Sequence, residues 1–144
     1  MDNNAVKNNL LIVEDDPSNI LELSHILRPL YQVNAAKDGE TALQYIKKYM
    51  PDLILLDIIM PGISGYDVLA ELQGSEDTKE IPVIFITGLR NSDDERRGLV
   101  LGAVDYICKP FDEVIVRHRV SNQMLIVNLQ RELEIAKNTV SSPR

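Results

Sequence analysis

The sequence predicts an α/β domain, a doubly wound five-stranded parallel sheet with helices on both faces and an extended C-terminal helix. Three observations carry that expectation. Five short apolar runs alternate with longer segments whose apolar residues recur three or four apart, the mark of strands alternating with amphipathic helices. At least three of the runs are continuously apolar, as strands covered on both faces are. Turn and capping residues fall at the boundaries between the two kinds of segment. Strict alternation of strand and helix implies a parallel sheet joined by right-handed crossovers.

The first strand is read over Leu10–Val13, and a helix over Pro17–Leu30 follows it. Asp16 stands as its N-cap with Pro17 at the first helical position. Ile20, Leu23, Ile26 and Leu27 form the apolar stripe, with Asn19, Glu22 and Arg28 off it. The second strand is Gln32–Ala35, and "KDGE" at Lys37–Glu40 turns the chain into a helix over Glu40–Tyr49, striped by Ala42, Leu43 and Ile46. Leu53–Leu56 is the third strand, and it runs into Asp57 and the breaker-rich loop "MPGISG" before a helix over Gly65–Gln73. "EIPV" at Glu80–Val83 opens the fourth strand, Val83–Thr87, with proline where a strand tolerates it. A helix over Asp94–Leu101, a strand over Val104–Cys108 and a last helix from Asp112 to about Asn138 complete the pattern.

That last helix is long for a globular protein and contains neither glycine nor proline. Val114 to Val120 suits packing on the domain. Ile126, Leu129, Leu133, Ala136 and Val140 instead follow 3-4-3-4 spacing, a short coiled-coil-like seam flanked by Arg131, Glu132, Glu134 and Lys137. Beyond Met124 the helix is therefore expected to serve a homodimer or to lead toward an output domain. The resulting division is a tail at residues 1–8, a compact domain at 9–124 and a helical extension with its own tail at 125–144. An end so soon after a charged, seam-bearing helix reads as a cut from a longer protein.

Length and composition narrow the function classes. A chain of 144 residues is naturally one domain with enough length to enclose a core. Its apolar fraction of 44% and charged fraction of 26% are those of ordinary soluble globular proteins. A formal net charge of -7 argues against a broad nucleic-acid or acidic-membrane surface, yet leaves room for a cation at a local acidic site. Cys108, the single cysteine, rules out an internal disulfide and fits a reducing cytosol. "MDNNAVKNN" lacks the build of a signal peptide, and no apolar run approaches the roughly 20 residues of a membrane span. The expected setting is the cytoplasm, with no direct nucleic-acid or membrane partner.

The chemistry gathers at strand ends. In an open parallel sheet, ligands bind beyond the carboxyl ends of the strands, where the strand order reverses. "LLIVEDDP" puts Glu14, Asp15 and Asp16 after the first strand, and "LILLDIIMPG" puts Asp57 after the third. "VIFITG" places Thr87 after the fourth, and "DYICKPF" places Lys109 after the fifth. Asp16 is accounted for as a helix cap, which leaves Glu14 and Asp15 without a structural role. Thr87 and Lys109 taken singly are an ordinary strand threonine and a surface lysine. Their joint arrival at one sheet edge is what points to function. Three carboxylates in a small space raise each other's pKa or require a cation, and one lysine does not balance them. Carboxylate oxygens suit Mg²⁺, which takes one or two of them together with water and phosphate oxygens. Such a site is poised for a phosphoryl group, with Asp57 as nucleophile and Thr87 offering a hydroxyl.

Together these residues resemble the response-regulator receiver domains of two-component signalling, over roughly Asn9 to Met124. The likeness rests on the pair Glu14–Asp15, "LLDIIMPGISG", "ITG" and "DYICKPF", in the family's order. It implies a flavodoxin-like (βα)₅ fold with Asp57 as phospho-acceptor, charged by a histidine kinase or a histidine phosphotransfer protein. Glu14, Asp15, Asp57 and the backbone carbonyl of Ile59 would hold Mg²⁺, and Thr87 and Lys109 would contact the phosphoryl group. The Lys109–Pro110 bond would be cis, and Tyr106 would be an aromatic switch that turns inward as Thr87 moves. Asp94–Leu101, the Val104–Cys108 strand and the last helix would form the readout face. Glutamate at position 14 is an accepted variant of the family's aspartate, and Cys108 reads as a small buried residue. Ile59 and Leu89, two residues beyond Asp57 and Thr87, are apolar and are expected to shield the acyl phosphate from water.

Other readings fit less well. A haloacid-dehalogenase-type phosphatase needs a second aspartate two residues after the nucleophile, where this chain has Ile59. A degenerate, receiver-like binding module would work without phosphorylation, although it has no need of all five site residues. His25 and His118 lie on helices without any nucleotide-binding element nearby, as surface histidines rather than the phosphorylated residue of a kinase. A signalling switch, not a turnover enzyme, is the expectation.

Overall fold

The computed structural model describes residues 7–88 and 92–141. Ten elements alternate strictly: β1 (Asn9–Val13), α1 (Pro17–Leu27), β2 (Gln32–Ala36), α2 (Gly39–Tyr49), β3 (Leu53–Asp57), α3 (Gly65–Gln73), β4 (Val83–Thr87), α4 (Ser92–Leu101), β5 (Asp105–Cys108) and α5 (Glu113–Ser141). The five strands make one parallel sheet in the order β2-β1-β3-β4-β5, the flavodoxin-like doubly wound arrangement the sequence predicts.

Alternating side chains divide the sheet's apolar content between two cores. On one face Leu11, Val13, Ile54, Leu56, Val83, Phe85 and Tyr106 meet Ala42 and Ile46 of α2 and Val68, Leu69 and Leu72 of α3. On the other, Leu10, Ile12, Leu53, Leu55, Ile84, Ile86 and Ile107 meet Leu23, Ile26 and Leu27 of α1 and Val116, Val120 and Met124 of α5. β3 and β4 are buried throughout, which is why their sequences are continuously apolar. β2 is an edge strand, largely exposed, and accordingly carries Gln32 and Asn34.

The helix ends follow local chemistry. The Asp16 side chain accepts from the Ser18 amide and Pro17 opens α1, as the sequence indicates. Asp38 caps α2 through the Thr41 amide, and the Asp112 carboxylate accepts from the Val114 and Ile115 amides at the start of α5. α1 ends at Leu27, three residues before the expected Leu30. Pro29 is the reason: Arg28 is still helical, but Pro29 has no N–H to carry the ladder on, and Leu30 and Tyr31 both turn back onto the Leu27 carbonyl.

α5 runs well past the last core residues while remaining attached to the domain. Val116, Val120, Met124 and Val127 are buried at helical spacing. Beyond them the Asn8 and Asn128 side-chain amides bond each other at 3.0 and 3.2 Å, and Arg131 pairs with Asp52 at the start of β3. Asp52 also accepts from the Asn9 amide at 2.6 Å. The seam residues Ile126, Leu129, Leu133 and Ala136 are exposed, and the fifth, Val140, lies outside the residues whose side chains are described. No helix among the described residues is long and apolar enough to cross a membrane.

Candidate functional site

The strand order reverses between β1 and β3, so the crevice of the doubly wound sheet opens at their carboxyl ends. Register sets which residues meet there. Val13 pairs with Leu56, Asp57 with Ile86, and Thr87 with Cys108. The residues at or just beyond each strand end are thus brought to one edge of the sheet: Glu14 beside Asp57, then Thr87, then Lys109. The Lys109 amide donates to the Thr87 carbonyl at 2.8 Å, tying the last two strand ends together.

Glu14 is fully buried and closely held. Its own amide donates to Ala36, its Oε2 accepts from the Asp16 amide at 3.1 Å, and its Oε1 accepts from Asn19 Nδ2 at 3.3 Å. Asp57 is nearly buried, and its Oδ1 accepts from the Ile59 amide at 3.3 Å. Lys109 Nζ lies 3.3 Å from Glu14 Oε1 and 3.4 Å from Asp57 Oδ2, bridging the two carboxylates. Asp15 is exposed at the rim, and one oxygen each from Glu14, Asp15 and Asp57 lie within 4.8 Å of one another.

The electrostatics follow from this packing. Burial pushes the Glu14 carboxyl above its ordinary value, and the neighbouring Asp57 adds to the rise; the Asp16 amide and Lys109 oppose it. Burial alone lowers the Lys109 ammonium, but Asp57 and Glu14 outweigh burial and leave it raised. With all four groups ionised the cluster carries three negative charges against one positive. Hard oxygen donors this close together, with a net charge of about −2 by that count, form a donor set that fits a small divalent cation.

The loop after β3 is built to keep Asp57 in place. A Cβ on Gly65 would overlap the Asp57 carbonyl oxygen and come within 2.8 Å of the Ile58 Cα, so only glycine lets α3 start this close to the strand end. The Gly65 amide donates to the Ile58 carbonyl at 2.8 Å. Ser64 and Asp67 close a reciprocal capping box at the start of α3. In the sequence this stretch stands out only as a loop of breakers, although the S-x-x-D spacing at Ser64–Asp67 signals the box. The sequence likewise gives Asn19 no role beyond lying off the apolar stripe, whereas its amide is a direct partner of Glu14.

The remaining candidates take distinct positions. Thr87 is buried at the end of β4. Tyr106 is only 8% exposed and packs 6.0 Å from the Phe85 ring, so its side chain already faces inward. Ile59 is 64% exposed beside Asp57, whereas Leu89 lies outside the described residues. The Lys109–Pro110 peptide is cis, as the resemblance implies. Cys108, expected to be buried, is half-buried and lines a surface hollow with Tyr106, Phe111 and Arg119. His25 and His118 are exposed.

Comparison with known proteins bears on the fold. The family model of the response regulator receiver domain matches residues 10–121. A Vibrio cholerae protein named "Probable cyclic di-GMP phosphodiesterase" is 44% identical over 115 residues, which are 80% of this chain and 26% of that protein. Response regulator PleD of Caulobacter vibrioides is 39% identical over 112 residues, 77% of this chain and 25% of that one. The chain therefore spans about a quarter of the length of these two relatives. Among solved structures, the signal receiver domain of a signal transduction histidine kinase from Syntrophus aciditrophicus superposes with a TM-score of 0.74 at 37% identity, covering 81% of this chain and 89% of that one.

Proposed function

The chain belongs to the response regulator receiver domain family, and on that premise we propose that it is a phosphorylation-operated switch with Asp57 as the phospho-acceptor. The observation that carries this reading is the Lys109 bridge between two buried carboxylates, Glu14 and Asp57, at the sheet's switch point.

In the proposed reaction an Asp57 carboxylate oxygen attacks the phosphorus of a phosphohistidine on a histidine kinase or a histidine phosphotransfer protein. The new bond joins Asp57 Oδ to phosphorus, the phosphorus–nitrogen bond breaks, and its electron pair returns to the imidazole. Lys109, already within 3.4 Å of Asp57, neutralises charge on the transferred group. Thr87 supplies a hydroxyl to a phosphoryl oxygen. Glu14, Asp15, Asp57 and the Ile59 carbonyl would hold Mg²⁺, which when bound offsets the negative charge of the carboxylates and the incoming phosphoryl. Acyl phosphate formation adds about 1.5 to 2 negative charges to this pocket. Thr87 and Tyr106 would then bias two conformations of the surface made by α4, β5 and α5.

The output lies elsewhere. The Vibrio and Caulobacter relatives carry some three quarters of their length beyond the matched region, and one is named for a cyclic di-GMP phosphodiesterase activity. We take the receiver as a cytoplasmic regulator of an output domain or partner, not as a turnover enzyme. The exposed seam of α5 supports a homodimer through that helix. Incubation with acetyl phosphate and Mg²⁺ followed by intact mass measurement tests the core of the proposal. A phosphoryl adduct that Asp57→Ala abolishes is expected; an unmodified wild-type protein would mean a module that binds without phosphorylation.

A further inference from the structure

α4 carries a glycine in its interior at a position where the helix gains nothing from it. Gly98 is buried, and a Cβ built on it would fall on the Tyr106 hydroxyl and come within 2.8 and 2.9 Å of the Phe85 ring. The two neighbours are held differently. Phe85 is fully buried, pinned edge-on by Tyr66 at 5.5 Å, and Arg97 lies over the Tyr66 ring at 4.1 Å. Tyr106 lies tilted against Phe85 and is itself part of that core. Glycine weakens a helix interior relative to alanine, so its presence here calls for a local reason. The space that the missing methyl leaves is filled by the Tyr106 side chain.

We propose that Gly98 is the positioning residue that admits Tyr106 to its inward place, and that any side chain at 98 turns Tyr106 out of the core. The inference rests on the proposed phosphorylation switch for its consequence, since Tyr106 is the group expected to report phosphorylation. Its steric content stands separately. Of the atoms that a methyl at 98 would meet, the Phe85 ring is fully buried and held by Tyr66, whereas the nearest is the Tyr106 hydroxyl, the far end of a side chain that also lines the surface hollow with Cys108 and Phe111. Rotation of Tyr106 is therefore the cheapest relief. A Gly98→Ala protein would still present Glu14, Asp57 and Lys109 unchanged, because the atoms nearest a methyl at 98 belong to Tyr106 and Phe85. It would be phosphorylated and yet be unable to bring Tyr106 inward.

Fluorine NMR on protein labelled with 3-fluorotyrosine tests this, with the Tyr106 signal assigned through Tyr106→Phe and exposure read by broadening from a soluble gadolinium chelate. In the parent the Tyr106 signal should resist broadening; in Gly98→Ala it should broaden as an exposed tyrosine does. A Tyr106 signal that stays shielded in folded Gly98→Ala overturns the proposal. A thermal cycle covers the case in which the variant folds poorly: Gly98→Ala is made in the parent and in Tyr106→Ala. Relief of the clash should make the shift in Tm more favourable in Tyr106→Ala by about 4 °C or more. Rescue of an unfolded Gly98→Ala by Tyr106→Ala supports the same conclusion. Equal shifts in the two backgrounds, or failure to fold in both, refute it. Acetyl phosphate labelling of the parent is run alongside: its failure removes the phosphorylation reading but leaves the steric result standing.

Discussion

Replacing Lys109 by methionine keeps the length of the side chain and removes its charge, and so isolates what the bridge between Glu14 and Asp57 does. A unit pair at 3.3 Å in an effective dielectric of about 20 attracts by about 5 kcal/mol, and Lys109 makes two such contacts, at 3.3 and 3.4 Å. Much of that gross attraction is offset because the ammonium gives up hydration to sit there. Breaking a buried pair by removing one partner costs about 3 to 5 kcal/mol. The Lys109 side chain is 29% exposed, which points to the lower end, about 3 kcal/mol and a fall in Tm of about 10 °C for a domain of this size. The cost should depend on pH through Glu14. Its carboxyl is raised by burial and by Asp57, so the folded state binds a proton that the unfolded state has released, and stability increases as pH falls toward the ordinary glutamate value of 4.5. Without Lys109 the carboxyl rises further, and the deficit of the variant should shrink across the interval between the two Glu14 values. Lys109 is itself raised above 10.5, so its contribution is complete throughout the neutral range and is lost only in strong alkali. Thermal melts by circular dichroism in chelator at pH 5 and pH 8, repeated with saturating Mg²⁺, measure all of this. Mg²⁺ should stabilise the variant more than the parent. A deficit under about 1 kcal/mol that is identical at both pH values would show that the two carboxylates do not share a site.

Gly65→Ala places a methyl against the backbone of Asp57 and Ile58, where no rotamer change gives relief, and should cost about 1 to 3 kcal/mol and slow phosphorylation by acetyl phosphate together; a variant as stable and as readily labelled as the parent contradicts the packing described. Ile59→Asn replaces an exposed apolar residue beside Asp57 with one able to orient water, and should shorten the lifetime of the acyl phosphate; unchanged or slower loss of the adduct by intact mass counts against shielding by Ile59. Leu129→Lys with Leu133→Lys puts charge on the exposed seam of α5 without touching either core, and should leave Tm nearly unchanged while reducing any dimer seen by light scattering. Equal dimerisation in both proteins would place the interface elsewhere.

Much of the fold was legible because the strands announce themselves. Leu53–Leu56 and Val83–Ile86 are apolar at every position since both faces of the central strands are covered, and so short an apolar run bounded by turn residues is too brief for a buried helix. The site was legible for a related reason. Parallel strands bring all their carboxyl ends to one edge, so an acid, a threonine and a lysine at successive strand ends must meet even though 95 positions separate Glu14 from Lys109. What escaped the sequence was whatever depends on close approach rather than on order. Pro29 ends α1 early, Gly65 and Gly98 are defined by atoms that would collide with them, and Asn19 is defined by the Glu14 oxygen within its reach.

α5 shows how that limit operates within a single helix. Two apolar stripes run along it, and spacing alone does not say which of them the domain uses. Val116, Val120, Met124 and Val127 take the core, and the same steps of three and four lead next to Arg131. There the stripe changes from apolar to charged at the point where the sheet ends, and the guanidinium meets Asp52 at the start of β3. Burial of hydrocarbon and then an ion pair thus hold one side of the helix to the domain, from the Asp57 edge of the sheet to the opposite one. Ile126 and Leu129 are rotated onto the other side and left in solvent, and Leu133, though largely exposed, borders the hollow beside Pro51 and Pro82. Asp57 and Asp52 lie at the two ends of β3, and the helix that leaves the domain is anchored at the second of them. A displacement of α5 produced at the Asp57 edge would have to break or carry the Asp52–Arg131 pair before it could turn the seam. Arg131→Gln should therefore loosen hydrogen exchange beyond Val127 while leaving exchange over Val116–Met124 unchanged, and protection beyond Val127 equal to the parent's would show that the apolar stripe alone fixes the helix.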